Sequence, residues 1–269
     1  MVNCIATCNK EVRGLTSLNK ELRVLRNVAS KNKIHFYAMS DDDDGLIPLS
    51  RNLSLPVPGP QLWDITSCAI SRCMYISDYG ERKIIDVTPA HHVTSWKLDY
   101  EPRGLSMLHN GNLLVTCRHP SALVEFHFND GTIRNQISLD ETITSPWHAV
   151  QLSTGNFAVC HGTELQKHRV CIVDRSGCII KSFGSIQGSN KLKLKVPLHL
   201  AVDENDFIFV ADCLNSRVTL LTPMLDFGCH VVEKMHSHPQ CLYLDRDTKR
   251  LYVGQRNGDV LVIQKITKR

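Results

Sequence analysis

The chain has 269 residues, of which 42% are hydrophobic and 22% charged, and it carries a net charge of +4. That composition fits a globular protein with a substantial core, and the charge is too mild to argue for nucleic acid without a concentrated basic face. No apolar stretch approaches the roughly 20 residues needed to cross a bilayer, and the first ten residues lack the basic end and apolar run of a signal peptide.

Taken in chain order, the first strand-like run is Val2–Thr7, which is apolar and has no obvious local partner. A phrase then recurs six times, as Gly14–Leu18, Asp64–Cys68, Gly104–Leu108, His148–Leu152, His199–Asp203 and Cys241–Asp245. Successive starts lie 50, 40, 44, 51 and 42 residues apart. Each phrase is followed, after a short polar turn, by a second apolar run such as Leu113–Val115 or Phe207–Val210. A period near 45 filled with short strands is the pattern of a β-propeller blade.

The first repeat has a rival reading. Leu15, Leu18, Leu22 and Leu25 are spaced three, four, three, as in a heptad. Two heptads are too few to carry a coiled coil, and the same residues match the blade phrase, with Ile34–Tyr37 as a third strand. Blade three is predicted at 103–108, 112–117, 122–127 and 132–138, with Asn129-Asp130-Gly131 as a hairpin signal. Blade four is predicted at 146–152, 155–161, 168–174 and 178–183, and blade five at 197–202, 206–212, 217–222 and about 227–233.

Blade six has strands near 239–244, 250–255 and 259–264, and then no room for a fourth. Val2–Thr7 can fill that place and join the two ends, which removes an open sheet edge. The expectation is one all-β domain over 1–269, a six-bladed β-propeller whose last blade is closed by the N-terminal strand at 1–9. The blades fall near 10–58, 59–100, 101–142, 143–190, 191–235 and 236–265.

The 11 cysteines are odd in number and include no Cys-x-x-Cys. Cys68, Cys117, Cys160 and Cys171 sit inside apolar runs, where a thiol serves as a small hydrophobe. This favours reduced thiols and a cytoplasmic protein over a secreted disulfide framework.

Innermost strands run along the central channel, so equivalent positions face one another. The first residues of the phrases make a ring of Gly14, Asp64, Gly104, His148, His199 and Cys241. His148, His199 and Cys241 come from adjacent blades and are suitable zinc ligands. Histidine at a strand entry also serves by bonding to a neighbouring carbonyl, and that plainer reading is preferred, with no metal or other cofactor expected. One step earlier lie Arg13, Trp63, Arg103, Trp147, Leu198 and Gln240. Two indoles and two guanidiniums on one rim would suit a recognition surface, or would pack between blades. Lys193 and Lys195, with Lys191, Lys181, Lys167 and Arg169, offer a basic edge or simply a solvated face. Asp41–Asp44 lacks the alternating ligand spacing of a calcium loop and reads as an exposed turn. The sequence holds no Gly-x-Ser-x-Gly elbow and no phosphate-binding glycine loop.

Blade five carries Val196-Pro-Leu-His-Leu-Ala-Val-Asp203 and then Asp206-Phe-Ile-Phe-Val-Ala-Asp-Cys-Leu-Asn-Ser-Arg-Val218. This resembles the NHL repeat, with Asp212, Asn215 and Arg217 in the hairpin positions. Blade two keeps Ile76-Ser-Asp78, and the remaining blades lose the motif. The resemblance implies either a propeller like that of TRIM proteins, which binds protein or RNA, or one like the amidating lyase, which holds zinc in its channel. No RING or B-box cysteine spacing is present, so ubiquitin-ligase machinery would come from another chain.

The resulting expectation is a non-catalytic module that binds a protein partner at one rim through Trp63, Arg103, Trp147 and Arg13. An RNA-binding propeller using Lys193 and Lys195 is the alternative. A zinc lyase or hydrolase at His148, His199 and Cys241 is placed last, and no membrane contact is expected.

Overall fold

The computed structural model describes residues 2–6, 10–26, 32–39, 46–55, 61–163, 167–185 and 193–264. Their strands form six antiparallel four-stranded sheets, the blades of a propeller. Among the described residues the one helical element is a 3-10 turn at Cys213–Asn215. The innermost strands are Val12–Leu18, Leu62–Ser67, Pro102–Met107, Pro146–Gln151, Pro197–Val202 and Pro239–Asp245. Each packs against the next, and the last packs against the first, so the ring is closed.

The closing strand is where the sequence places it. Val2–Ala6 runs antiparallel to Val260–Ile263, with Val2 opposite Ile263 and Ala6 opposite Val260. The leucine run at 15–25 is two strands, Val12–Leu18 and Glu21–Arg26, with all four leucines buried. Asp41–Asp44 and Lys191 lie outside the described residues.

Apolar burial is distributed between blades, not gathered in one centre. Six clusters of buried side chains each fill the gap between two neighbouring blades. Second strands are covered on both faces and are therefore buried along their length, as in Met74–Asp78, Leu113–Cys117 and Ile208–Asp212. Outer strands such as Val93–Lys97 and Ile133–Ser138 face solvent and carry polar side chains. Cys68, Cys117, Cys160 and Cys171 are buried in these clusters, as small hydrophobes should be. Burial pushes the Cys171 thiol up to about 11.

The feature that matters for function is repeated in all six blades. Every innermost strand has an irregular register where its phrase begins, between Val12 and Gly14, Leu62 and Ile65, Pro102 and Leu105, Pro146 and His148, Pro197 and Leu200, and Pro239 and Cys241. A bulge bends the strand and re-aims a side chain. In four blades a proline stands at the strand's first residue, where a missing N–H does least harm to the ladder. The bulge turns one residue into the channel and sets the residue before it on the rim.

Candidate active site in the channel

Three side chains of the ring meet on the axis. The ligand atoms of Asp64, His148 and His199 all lie within 4.8 Å of one another. Asp64 comes from blade two and His199 from blade five, opposite each other, and the Asp64 Oδ2 to His199 Nε2 distance is 3.4 Å. His148, from blade four, brings its Nε2 to 3.7 Å from the same oxygen. Its ring stacks on that of His199 with centroids 3.7 Å apart. Asp64 is 1% exposed and His148 2%, so the channel is shut at this level.

The glycines of the ring make this meeting possible. A Cβ on Gly104 would lie 2.5 Å from His148 Cδ2, and one on Gly14 would lie 2.8 Å from Asp64 Oδ1. Both positions leave room for the functional side chain of the next blade.

Asp64 is held from several sides. Its Oδ1 accepts the Ile65 N–H at 2.8 Å, and its Oδ2 accepts the Leu105 N–H at 2.9 Å. Its own N–H donates to Ser77 Oγ, whose hydroxyl donates to the Arg103 carbonyl at 2.7 Å. Burial alone would push this carboxyl up; the two imidazoles and the Leu105 N–H outweigh it and hold the group below its ordinary value. Asp64 is therefore a carboxylate. Burial, aided by His199, drives His148 down to about 3, so that ring is neutral.

The hydrogen bonds assign the imidazole protons. His148 Nε2 lies 3.1 Å from the Leu105 carbonyl, an acceptor, so Nε2 carries the proton. Its buried Nδ1 makes no hydrogen bond. His199 Nδ1 accepts the Leu242 N–H at 3.4 Å, so its proton sits on Nε2 and points at Asp64. A ligating imidazole donates its other N–H to an acceptor, whereas one outer nitrogen here has no acceptor and the other faces a donor. A carboxylate and two imidazoles are nonetheless a reasonable cation-binding set, and their donor atoms converge closely enough to take a divalent cation although no acceptor backs either ring.

Beyond this cluster, where the innermost strands end, the channel opens into a funnel of about 510 Å³ with His148 and His199 at its floor. Its wall alternates apolar residues such as Leu15, Leu105 and Leu242 with Thr16, Ser67, Ser106 and Gln151. The hydroxyls are fixed: Thr16 to Ser67 at 2.8 Å, Ser67 to the Ser17 carbonyl at 2.6 Å, and Ser106 to the Ala149 carbonyl at 2.9 Å.

The rim residues come together on the opposite side. Trp63 stacks on Trp147 at 5.2 Å and 23°. The Arg103 guanidinium stands 4.7 Å from Trp63, 5.5 Å from Trp147 and 4.0 Å from Tyr79. Arg13 stands over Trp63 and Arg118 over Trp147. Trp147 Nε1 donates to the Gly162 carbonyl at 2.7 Å, and Arg103 pairs with Glu101. These side chains cover one another and seal the channel below the acid–imidazole cluster. Lys193 and Lys195 flank the Asp212 hairpin, where the Lys193 carbonyl accepts from Arg217 at 2.6 Å and the Lys195 N–H donates to Asp212 at 2.7 Å.

The candidate grouping that the sequence offered within the ring is corrected. Cys241 does not join the histidines: it is fully buried beside Gly254, with burial holding its thiol protonated. Asp64 takes that place, because a residue on the opposite blade reaches across the axis. The signal that could have found Asp64 was its position in the phrase, the same as that of the two histidines.

No protein family matches the chain, and no curated protein matches it. Solved structures do. A catalytically inactive His-to-Ala variant of virginiamycin B lyase from Staphylococcus aureus with quinupristin has a TM-score of 0.66 at 14% identity, covering 99% of both chains. A gluconolactonase from Xanthomonas campestris has a TM-score of 0.73 at 11% identity, covering 97% of this chain and 88% of its own. A streptogramin B lyase has a TM-score of 0.67 at 12% identity, covering 98% of both. At such identities the likeness shows the fold alone. The expectation of a non-catalytic module leaned on TRIM-type propellers and is corrected, because the propellers named here carry enzyme names. On this footing the chain is a six-bladed β-propeller of the architecture shared by those lyases and lactonases.

Proposed function

We propose that this protein is an enzyme, a lyase or lactone hydrolase, with its reaction centre at the floor of the funnel. The observation that carries this is a buried carboxylate, Asp64, in contact with two stacked imidazoles where a closed channel meets an open funnel. Burial of an acid beside imidazole is how proteins prepare groups for proton transfer.

In this reading His199 faces the substrate and polarises it. It is the more exposed of the two rings, at 7%, and it lines the funnel. Its 3.4 Å contact with Asp64 is longer than a normal hydrogen bond, so Nε2–H can hydrogen-bond a substrate oxygen instead, and the Asp64 carboxylate takes the proton that the reaction releases. His148 holds the ring of His199 in place by stacking and stays neutral. Ser67, Ser106 and Gln151 orient a polar ligand, and the Trp63–Arg103–Trp147 seal keeps bulk water from the far side. The neighbours support the same region of chemistry: one is named a lactonase, and the lyase is inactive when a histidine is replaced. The NHL resemblance of blade five bears on how that hairpin is built and carries no part of this reading.

A second reading has one observation in its favour, the convergence of three donor atoms within 4.8 Å. With a divalent cation bound, Asp64, His148 and His199 would hold it, and it would supply Lewis-acid polarisation of a carbonyl.

The test is turnover of δ-gluconolactone and of quinupristin by the wild type and by His199→Ala, each with and without a chelator. The proton-transfer reading expects turnover that a chelator leaves intact and that His199→Ala lowers by about 100-fold or more. Loss on chelation, restored by a divalent cation, selects the second reading. If the wild type and His199→Ala are equally inactive on both compounds and on a wider lactone panel, the enzyme reading falls.

A further inference from the structure

Apart from the channel, a cleft of about 230 Å³ opens between blades one and two. Turns at Leu18–Glu21, Arg72–Met74 and Thr88–His91 border it, on the same face as the funnel. Arg23, Arg51 and Arg72 line it, with Phe36 and Glu21. The Arg23 and Arg51 guanidiniums both stand over the Phe36 ring, at 5.8 and 5.0 Å from its centroid. Arg51 also pairs with Glu21.

Arg23 is the unusual member. It is only 9% exposed, and its Nε and Nη1 are buried without any hydrogen bond. Burying a cation's N–H groups without acceptors is costly, and folded proteins keep few such groups. Burial holds the Arg23 guanidinium below its ordinary value, with Glu21 opposing and Arg51 adding to the effect. Among the described residues that line the cleft, three guanidiniums face one carboxylate, an excess of two positive charges.

We propose that this cleft is a binding site for a phosphoryl group, as inorganic phosphate or a small phosphate monoester. A simple carboxylate needs one guanidinium, as Glu21 already has in Arg51. A phosphoryl group carries about −1.5 to −2 charge at neutral pH and several acceptor oxygens, which matches both the excess charge and the idle N–H groups of Arg23. The planar fork of arginine fits phosphate oxygens in pairs. The Phe36 ring holds Arg23 and Arg51 side by side, so little ordering remains to be done on binding. The small volume admits the phosphoryl group with a few further atoms.

The experiment is isothermal titration of the full chain with inorganic phosphate, and separately with glycerol phosphate, at constant ionic strength with chloride as the balancing ion. The wild type is expected to bind one equivalent saturably, with a dissociation constant on the order of 1 mM or tighter. Arg23→Lys keeps the charge but loses the fork, and Arg72→Gln removes a charge from an exposed residue; each is expected to weaken binding about tenfold or more. Circular dichroism establishes that each variant is folded, and Arg72→Gln serves if Arg23→Lys is not. Tighter binding of glycerol phosphate than of inorganic phosphate identifies a monoester as the ligand, and the reverse identifies free phosphate. His199→Ala is expected to bind like the wild type. The proposal is overturned by unsaturable heats, by wild-type binding in the folded arginine variants, or by loss of binding in His199→Ala, which would put the anion in the channel. Because the titration reads no turnover, it stands or falls separately from the enzyme reading.

Discussion

His148 lies face to face on His199, ring centroids 3.7 Å apart and planes inclined by 26°. The two residues occupy the same position in blades four and five, and Asp64 reaches them from blade two. Both strands have an irregular register at this step, beginning at Pro146 and at Pro197. The stack restricts how far His199 can turn, and it brings a neutral ring against the one that faces the funnel.

Gly104 is the test of that geometry. Its missing Cβ is the space that His148 fills. Gly104→Ala is expected to cost about 1–3 kcal/mol by overpacking and to lower turnover further than Gly228→Ala, whose Cβ would meet its nearest neighbour at 3.1 Å. Urea denaturation and turnover of δ-gluconolactone measure the two effects. Wild-type stability and activity in Gly104→Ala would mean that the rings are not held as described.

His161, with His148, contributes to the acid limb of the stability profile. It is fully buried, and burial, aided by Arg169, drives its value from 6.5 to about 4. The unfolded chain then binds a proton between about pH 6.5 and 4 that the folded chain refuses. Its contribution is complete above pH 6.5 and is lost progressively as pH falls to about 4, amounting to about 3 kcal/mol. Half-buried His35, also held near 4, acts in the same direction. Urea midpoints measured from pH 7 to pH 4 should fall, and His161→Gln should flatten the curve; an equal slope in that variant would refute the assignment.

Asp212 anchors the blade-five hairpin. Its Oδ2 accepts from Arg217 Nε at 2.7 Å and from Asn215 at 2.8 Å, while Oδ1 accepts the Lys195 N–H. Removing it takes the carboxylate from a buried guanidinium. Asp212→Ala is expected to lose about 3–5 kcal/mol in chemical denaturation, with Asp212→Asn losing less because the amide oxygen still accepts. Equal losses in the two variants would show that charge alone matters.

The stacked indoles should be visible directly. Trp63 and Trp147 at 5.2 Å should give an exciton couplet in the far-ultraviolet circular dichroism spectrum. Trp63→Phe and Trp147→Phe should each abolish it and cost about 0.5–1.5 kcal/mol beyond lost area. Trp96→Phe should leave the couplet, since that ring packs on Tyr75 and Phe126. A couplet that survives Trp63→Phe would place the stack elsewhere.

Much of the architecture was legible in the sequence. The six phrases, the turn residues and the unassigned run at Val2–Thr7 determined the blade number and the closing strand, because strand period and turn chemistry are local properties. The Asp212–Asn215–Arg217 hairpin was legible for the same reason, since its partners lie within five residues. The site was not. The phrase identified a ring of equivalent positions, and nothing local distinguished Cys241, which turns into the blade interface, from Asp64, which crosses to the opposite blade. Which members of the ring touch depends on channel width, on the bulge in each strand and on the space left by Gly14 and Gly104. Those quantities are set by six sheets packing against one another, so only the tertiary structure decided that a carboxylate and two imidazoles share the axis.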